Sequence, residues 1–249
     1  MKKANRKLIP ALAMLLVSAI MLSTASFAWF TTTQTVKATG MKVQAEAPTG
    51  IVISYNDTAT WGASATAGDL SANKLQPTST SDGTYWLSAV ADSAASHVKN
   101  AEGYSKVIAA DGYYMDYLFK IKSATNAAIA VDSLTATVAV TKGTGQELDK
   151  PLRVGIKIGD EFKIIAPNGG ETSYKVSNKT TDDTVAVTAT SSAATFEGTK
   201  SIPAFTAAGT DVHVFVWYEG EDAACMTNNV VANLNEMAIS VDFTYAATE

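Results

Sequence analysis

Apolar and polar residues alternate along most of this chain in short runs bounded by turn residues, the pattern of half-buried antiparallel strands. The clearest run is Tyr113–Lys122 (YYMDYLFKIK), which puts Met115, Tyr117, Phe119 and Ile121 on one face and Asp116, Lys120 and Lys122 on the other. Residues 123–127 make a turn, and Ile129–Thr141 returns as a long strand that Asp132-Ser133 would break in two. Arg153–Ile158 and Glu161–Ile165 flank Gly159-Asp160, a two-residue hairpin signal. Further strands are expected at Gln34–Ala47, with Gly40 as a bulge, and at Gly50–Tyr55, Tyr85–Val90, Ser173–Ser177 and Thr184–Ala189. Ser201–Phe205, Asp211–Tyr218 and Met237–Ala246 complete the set. Asn56–Thr84 reads as an irregular polar excursion with a short helix around Gly68–Lys74, and Asp92–Gly112 and Glu219–Leu234 read as loops. The expected fold class is all-β: an antiparallel two-sheet β-sandwich of jelly-roll type, preceded by an N-terminal hydrophobic signal helix.

The start of the chain departs from this alternation. Leu8–Phe30 is an uncharged, largely apolar run behind the basic head Lys2, Lys3, Arg6 and Lys7, the layout of an export signal. Ser26-Phe27-Ala28 supplies the small-x-small pattern of a cleavage site, which places the cut between Ala28 and Trp29. The other reading keeps Leu8–Phe30 as an anchor, since a bilayer is crossed by ~20 apolar residues. No basic stop-transfer cluster follows Phe30. Either way the body of the protein leaves the cytoplasm, and it touches the membrane only through an uncleaved signal. The expected organisation is a signal peptide over 1–28, a mature N-terminal extension over 29–36 and one sandwich domain over 37–249.

Composition narrows the function classes. Four of the 19 basic residues leave with the signal, so the formal charge of −5 becomes more negative in the mature chain. An acidic surface without a Lys/Arg cluster excludes nucleic-acid binding as an expectation and disfavours anionic lipid. The single cysteine, Cys225, forms no internal disulfide and reads as a buried thiol or an intermolecular bridge.

Signals for catalysis are scarce. The two histidines, His97 and His213, are isolated, and there is no HExxH, GxSxG, GxGxxG or P-loop motif. His213 reads as an ordinary strand residue on the face it shares with Phe215 and Trp217, opposite Val212, Val214 and Val216. No catalytic residue and no cofactor is expected. Glu219, Glu221 and Asp222 are the candidate calcium ligands, although they lack an EF-hand-like spacing and a solvated acidic loop explains them more simply. Phe119, Phe215, Trp217, Phe243 and Tyr245 read as core packing, with an exposed carbohydrate-binding platform as the alternative.

Several stretches resemble one family. Ser26-Phe27-Ala28 followed by Trp29-Phe30 resembles the export signals of TasA/camelysin-type proteins, which depend on the dedicated signal peptidase SipW. VKATGMKVQAEA (Val36–Ala47) resembles the first strand of that family, YLFKIKSATNAAIAVDSLTATVAV (Tyr117–Val140) its central hairpin, and MAISVDFTYAAT (Met237–Thr248) its closing strand. Residues 56–112 and 160–205 carry no such likeness. The resemblance implies a secreted jelly-roll subunit, Gram-positive in origin, that polymerises head to tail into extracellular biofilm matrix fibres. Its partners would be other copies of itself, a SipW-type signal peptidase and other matrix proteins. In such fibres the N-terminal segment of one subunit is donated as a strand to the next. That segment here is Trp29, Phe30, Thr31, Thr32, Thr33, Gln34, Thr35 and Val36. A β-branched run behind two aromatic residues suits main-chain addition to an open sheet edge, and head-to-tail contacts that do not close build filaments. The metalloprotease activity ascribed to camelysin-type relatives finds no support in two isolated histidines. The alternative expectation is a monomeric cell-surface adhesin or carbohydrate-binding β-sandwich module.

Overall fold

The fold comes from a computed structural model that describes residues 36–37, 42–46, 50–56, 60–67, 74–88, 105–125, 127–141, 150–177, 184–198, 202, 204–222, 224–225 and 237–247. The chain divides into two compact units after Thr33, and all described residues belong to the second, Gln34–Glu249. Strands run in the order β1 (Val36–Lys37), β2 (Lys42–Glu46), β3 (Ile51–Tyr55), β4 (Ser64–Thr66), β5 (Lys74–Leu75) and β6 (Pro77–Thr78). Then come β7 (Trp86–Ser88), β8 (Ser105–Val107), β9 (Tyr114–Ser123), β10 (Ile129–Thr141), β11 (Leu152–Ile158) and β12 (Glu161–Ile165). The chain continues through β13 (Ser173–Ser177), β14 (Thr184–Thr190), β15 (Ala193–Glu197), β16 (Ala204–Phe205), β17 (Thr210–Glu219) and β18 (Ala238–Ala247). A single 3-10 turn, Ala109–Asp111, is the one helical element among the described residues.

Two large sheets make an all-β, sandwich-like body. One has the strand order β15-β10-β18-β2-β4, with β16 also on β10; the other runs β13-β14-β12-β11-β17-β9-β3, with β6 also on β17. Alternation decides which side chains face the space between them. Leu134, Ala136 and Val138 of β10 and Ile239, Val241 and Phe243 of β18 meet Met115, Tyr117, Phe119 and Ile121 of β9 in one core. Val212, Val214 and Val216 of β17 join the same core from the larger sheet. Each Val, Leu, Ile, Phe or Met side chain so removed from water stabilises the fold by about 1.5–3 kcal/mol.

The larger sheet is covered on its outer face as well. Phe215 and Trp217 of β17 point away from the main core into a second cluster with Trp86 of β7, Val107 of β8, Tyr113 and Ile164. Trp86 stacks on Tyr114 at 3.9 Å between ring centroids and meets Trp217 edge-on at 5.1 Å. Double burial explains why β11 and the second half of β17 are buried at nearly every position instead of at alternate ones. Gly155 of β11 allows this cover to close down, because a Cβ there would lie 2.7 Å from the Phe162 ring and 2.9 Å from that of Trp217.

Most long strands fall where alternation places them. β10 and β12 have the expected bounds, Gly159 takes the positive φ of 55° that a two-residue hairpin of this kind needs, and the pairing of β10 with β18 shifts between Val131 and Ser133. Four differences stand out. The excursion after Asn56 holds β4, β5 and β6, which at two or three residues are too short for alternation to register. The expected loop before Gly112 holds β8 and the 3-10 turn. β15 was not expected, although Ala194 and Phe196 do alternate inward. Of the expected strand Ser201–Phe205, Ala204–Phe205 is strand and Ile202 is not, while Ser201 and Pro203 lie outside the described residues. The helix expected around Gly68–Lys74 lies outside the described residues except for Lys74, which is in β5.

Candidate functional site

Three places bear on the sequence-based candidates. The first is the N-terminal segment. Ala28 and Trp29 to Thr35 lie outside the described residues, as does His97. Val36 is described: β1 pairs antiparallel with β5, setting Val36 opposite Leu75 and Lys37 opposite Lys74. Next along the chain, β2 is added parallel to β18, with Val43 opposite Ile239, and is flanked on its other side by β4.

The second place is the acidic run after Tyr218. A solvated loop was one expectation for it, and the structure corrects that. Glu219 is 0% exposed and Asp222 only 2%. The chain turns tightly here, the Asp222 amide donating to the Glu219 carbonyl, so that both side chains fold inward. Glu219 accepts from the Ser79 hydroxyl, from Trp217 Nε1 at 3.1 Å and from the Glu221 amide at 3.1 Å. Burial nevertheless pushes its pKa up to about 7, against the lowering effect of those donors and of Arg153. The Asp222 carboxylate pairs with the fully buried guanidinium of Arg153 and also accepts from the amides of Glu171 and Ala224. Arg153 donates in addition to the carbonyls of Lys150, Leu152 and Glu171, and its guanidinium carbon lies 5.5 Å from the Tyr174 ring centroid. Burial is the main reason that the Tyr174 hydroxyl is pushed above the ordinary tyrosine range. Glu219, Glu221 and Asp222 therefore share one tight turn, but two of them face inward to protein donors. No group of three or more His, Cys, Asp or Glu side chains suited to a metal occurs among the described residues.

The third place was not singled out from the sequence. On the outer face of the larger sheet, beyond the aromatic cover, lies a groove of about 420 Å³ lined by Tyr114, Asp116, Lys157, Asp211, His213 and Phe215, with Gly83, Thr84 and Gly159 at its rim. Strand register builds it. Asp116 sits opposite Phe215 and Lys157 opposite His213, so these outward side chains fall in two adjacent rows. His213 Nδ1 is 2.8 Å from Asp116 Oδ1, each side chain being 35% exposed. The His213 ring lies parallel to that of Phe215, with centroids 5.7 Å apart. The hydrogen bond to Asp116 is the main reason that the histidine pKa is raised above 6.5, with burial working the other way. Lys157 Nζ donates to the Thr84 hydroxyl, and Lys120 pairs with Asp211 at 3.3 Å beside the groove. Alternation alone told that Asp116 and His213 face outward; their adjacency needed the register. Of the five strand aromatics for which a platform is the alternative, Phe119, Phe215, Trp217 and Phe243 are buried, and Tyr245 is partly buried against the core with its ring edge-on to Phe205 at 5.6 Å.

Compared with known proteins, the chain matches no family model and no curated protein. Among solved structures, the collagen binding domain of the Erysipelothrix rhusiopathiae surface protein RspB shows 13% identity and a TM-score of 0.16, over 82% of this chain and 61% of that one. The chain thus spans about three fifths of the length of that structure, and a likeness at this level carries no argument about fold or function.

Proposed function

We propose that this chain is a secreted structural subunit, of jelly-roll type, that polymerises into extracellular matrix fibres by donating its N-terminal segment, Trp29 to Val36, to a neighbouring copy. The observation that supports this reading most is the way the N-terminal strands join the body. β2 is itself a strand added parallel to β18, and the chain is still extended and main-chain paired at Val36–Lys37, where the described residues begin. A polar, β-branched run leading into an extended, paired segment is suited to continue as a strand on another copy's sheet edge. The test is negative-stain microscopy of the chain starting at Trp29 beside one starting at Lys37, with circular dichroism to show that both fold. Filaments from the first and none from the second are expected. Filaments from both, or folded monomers from both across varied pH, salt and calcium, would remove strand donation.

A second reading, a cell-surface binding module, is favoured by one observation: the half-exposed polar groove around Asp116 and His213.

A further inference from the structure

The groove on the outer face of the larger sheet is a built feature with polar capacity to spare. Asp116 Oδ1 is engaged by His213 Nδ1, and Lys157 is engaged by Thr84. Asp116 Oδ2, His213 Nε2 and the remaining Lys157 hydrogens have no partner among the described residues. One acceptor, one imidazole nitrogen and one ammonium thus line a single groove, over the ring of Tyr114 and beside that of Phe215. Two glycines are among the residues that line it. Gly159 occupies a hairpin turn with φ 55°, and Gly83, with φ 64°, lets its loop settle on Phe162, whose ring a Cβ would meet at 2.7 Å.

Chemistry narrows the occupant. The two carboxylates of Asp116 and Asp211 are balanced by the ammonium groups of Lys157 and Lys120, so neither an anion nor a cation is selected by net charge. No metal-binding group of three or more ligands exists among the described residues. The groove's hydroxyl from Thr84 is bonded to Lys157 and the Asp82 carbonyl and not to His213, whose hydrogen-bond partner is Asp116. What remains is a neutral ligand with hydroxyl groups on its edge and C–H groups on its face. Such a ligand exchanges hydrogen bonds with an acid, an imidazole and an ammonium while packing on the partly exposed ring of Tyr114, Phe215 being buried beneath His213. The volume of about 420 Å³ falls within the range of about 300–1,000 Å³ usual for ligand sites.

We infer that the groove formed by Tyr114, Asp116, Lys157, His213 and Phe215 binds a neutral pyranose unit of a polysaccharide. Asp116 accepts from a sugar hydroxyl, Lys157 donates to a neighbouring oxygen, and His213 contacts a third through Nε2. This rests on the second reading above and holds whether or not the chain polymerises.

The test uses the full chain with methyl glucoside, methyl galactoside, methyl mannoside and N-acetylglucosamine as probes, followed by saturation-transfer and imidazole NMR. Binding in the millimolar range to at least one of them is expected, with the His213 ring resonances shifting on titration. Asp116→Asn and Lys157→Met, each verified as folded by circular dichroism, should weaken it about tenfold, the cost of one hydrogen bond to a charged group. Binding that survives both substitutions unchanged overturns this site but leaves the binding-module reading standing. No binding of any probe at tens of millimolar overturns both. Tighter binding of galacturonate than of every neutral sugar makes the groove an anion site on Lys157 and overturns the neutral-ring assignment.

Discussion

Glu219 holds a carboxyl group in a place where ionisation is costly. Its donors, the Ser79 hydroxyl, Trp217 Nε1 and the Glu221 amide, offset only part of the loss of water, so its folded-state pKa of about 7 exceeds the ordinary 4.5. An acid shifted this way binds more protons folded than unfolded. Its contribution to stability is full below pH 4.5, is lost as the pH rises through about 7, and is level above that. The span is on the order of 3 kcal/mol. Urea unfolding between pH 4.5 and 8 should therefore show wild type losing stability relative to Glu219→Gln; parallel curves would show that Glu219 does not titrate in this window. Arg153 presents the opposite case, a buried charge paired with a carboxylate, although its Nε has no hydrogen-bond partner among the described residues. Arg153→Ala leaves Asp222 buried without its cation and should cost about 3–5 kcal/mol, read as a lower urea midpoint. Neither role was legible in the sequence. Three acids in four residues look like a solvated loop, and the arginine that pulls Asp222 inward sits 69 residues earlier, on a strand whose hydrophobic neighbours give no hint of it.

At the level of elements, legibility follows length. β9, β10, β17 and β18 are long enough for alternation to show both their extent and their buried face, and the hairpin between β11 and β12 is written in Gly159-Asp160. Strands of two or three residues, such as β5 and β6, are made by their neighbours and have no period to read. Neither did the sequence show that the outer face of the larger sheet is roofed by Trp86 and Val107, since an aromatic on a strand points to one face without saying what covers it. Two glycines hold these elements together. A Cβ at Gly198 would fall on the Val131 carbonyl, next to the shifted register of β10, and only main chain lies there to yield. Gly198→Ala should unfold the chain or lower its thermal midpoint severely. Gly155→Ala presses on two aromatic side chains instead of main chain, and should cost about 1–3 kcal/mol in denaturant unfolding. An order in which Gly155→Ala is the more damaging would contradict this account of both contacts.

Across the molecule, the sandwich rests on its core, with no cross-link among the described residues. Cys225, the single cysteine of the chain, is buried, and its amide donates to the Asp222 carbonyl. It should react with a thiol reagent such as Ellman's only as the fold opens, so the labelling rate should follow the unfolded fraction across a urea series; fast labelling of folded protein would place that thiol at the surface. The all-β class and the two-sheet arrangement were readable from alternation and from the absence of amphipathic helical runs. The groove at Asp116 and His213 was not, because it depends on how β9, β17 and β11 line up across the sheet.

The position of β18 has a consequence for how the protein is made. β18 lies between β10 and β2, pairing antiparallel with the first over most of its length and parallel with the second. Both of those strands are synthesised long before it. Until Ala238–Ala247 arrives, β2 has only three residues of β4 beside it, and the main core lacks Ile239, Val241 and Phe243. Pairings this distant in the chain form slowly. A nascent chain of this topology can complete the β10-β18-β2 part of the smaller sheet only after its last strand has been synthesised, whereas every strand of the larger sheet is already present by then.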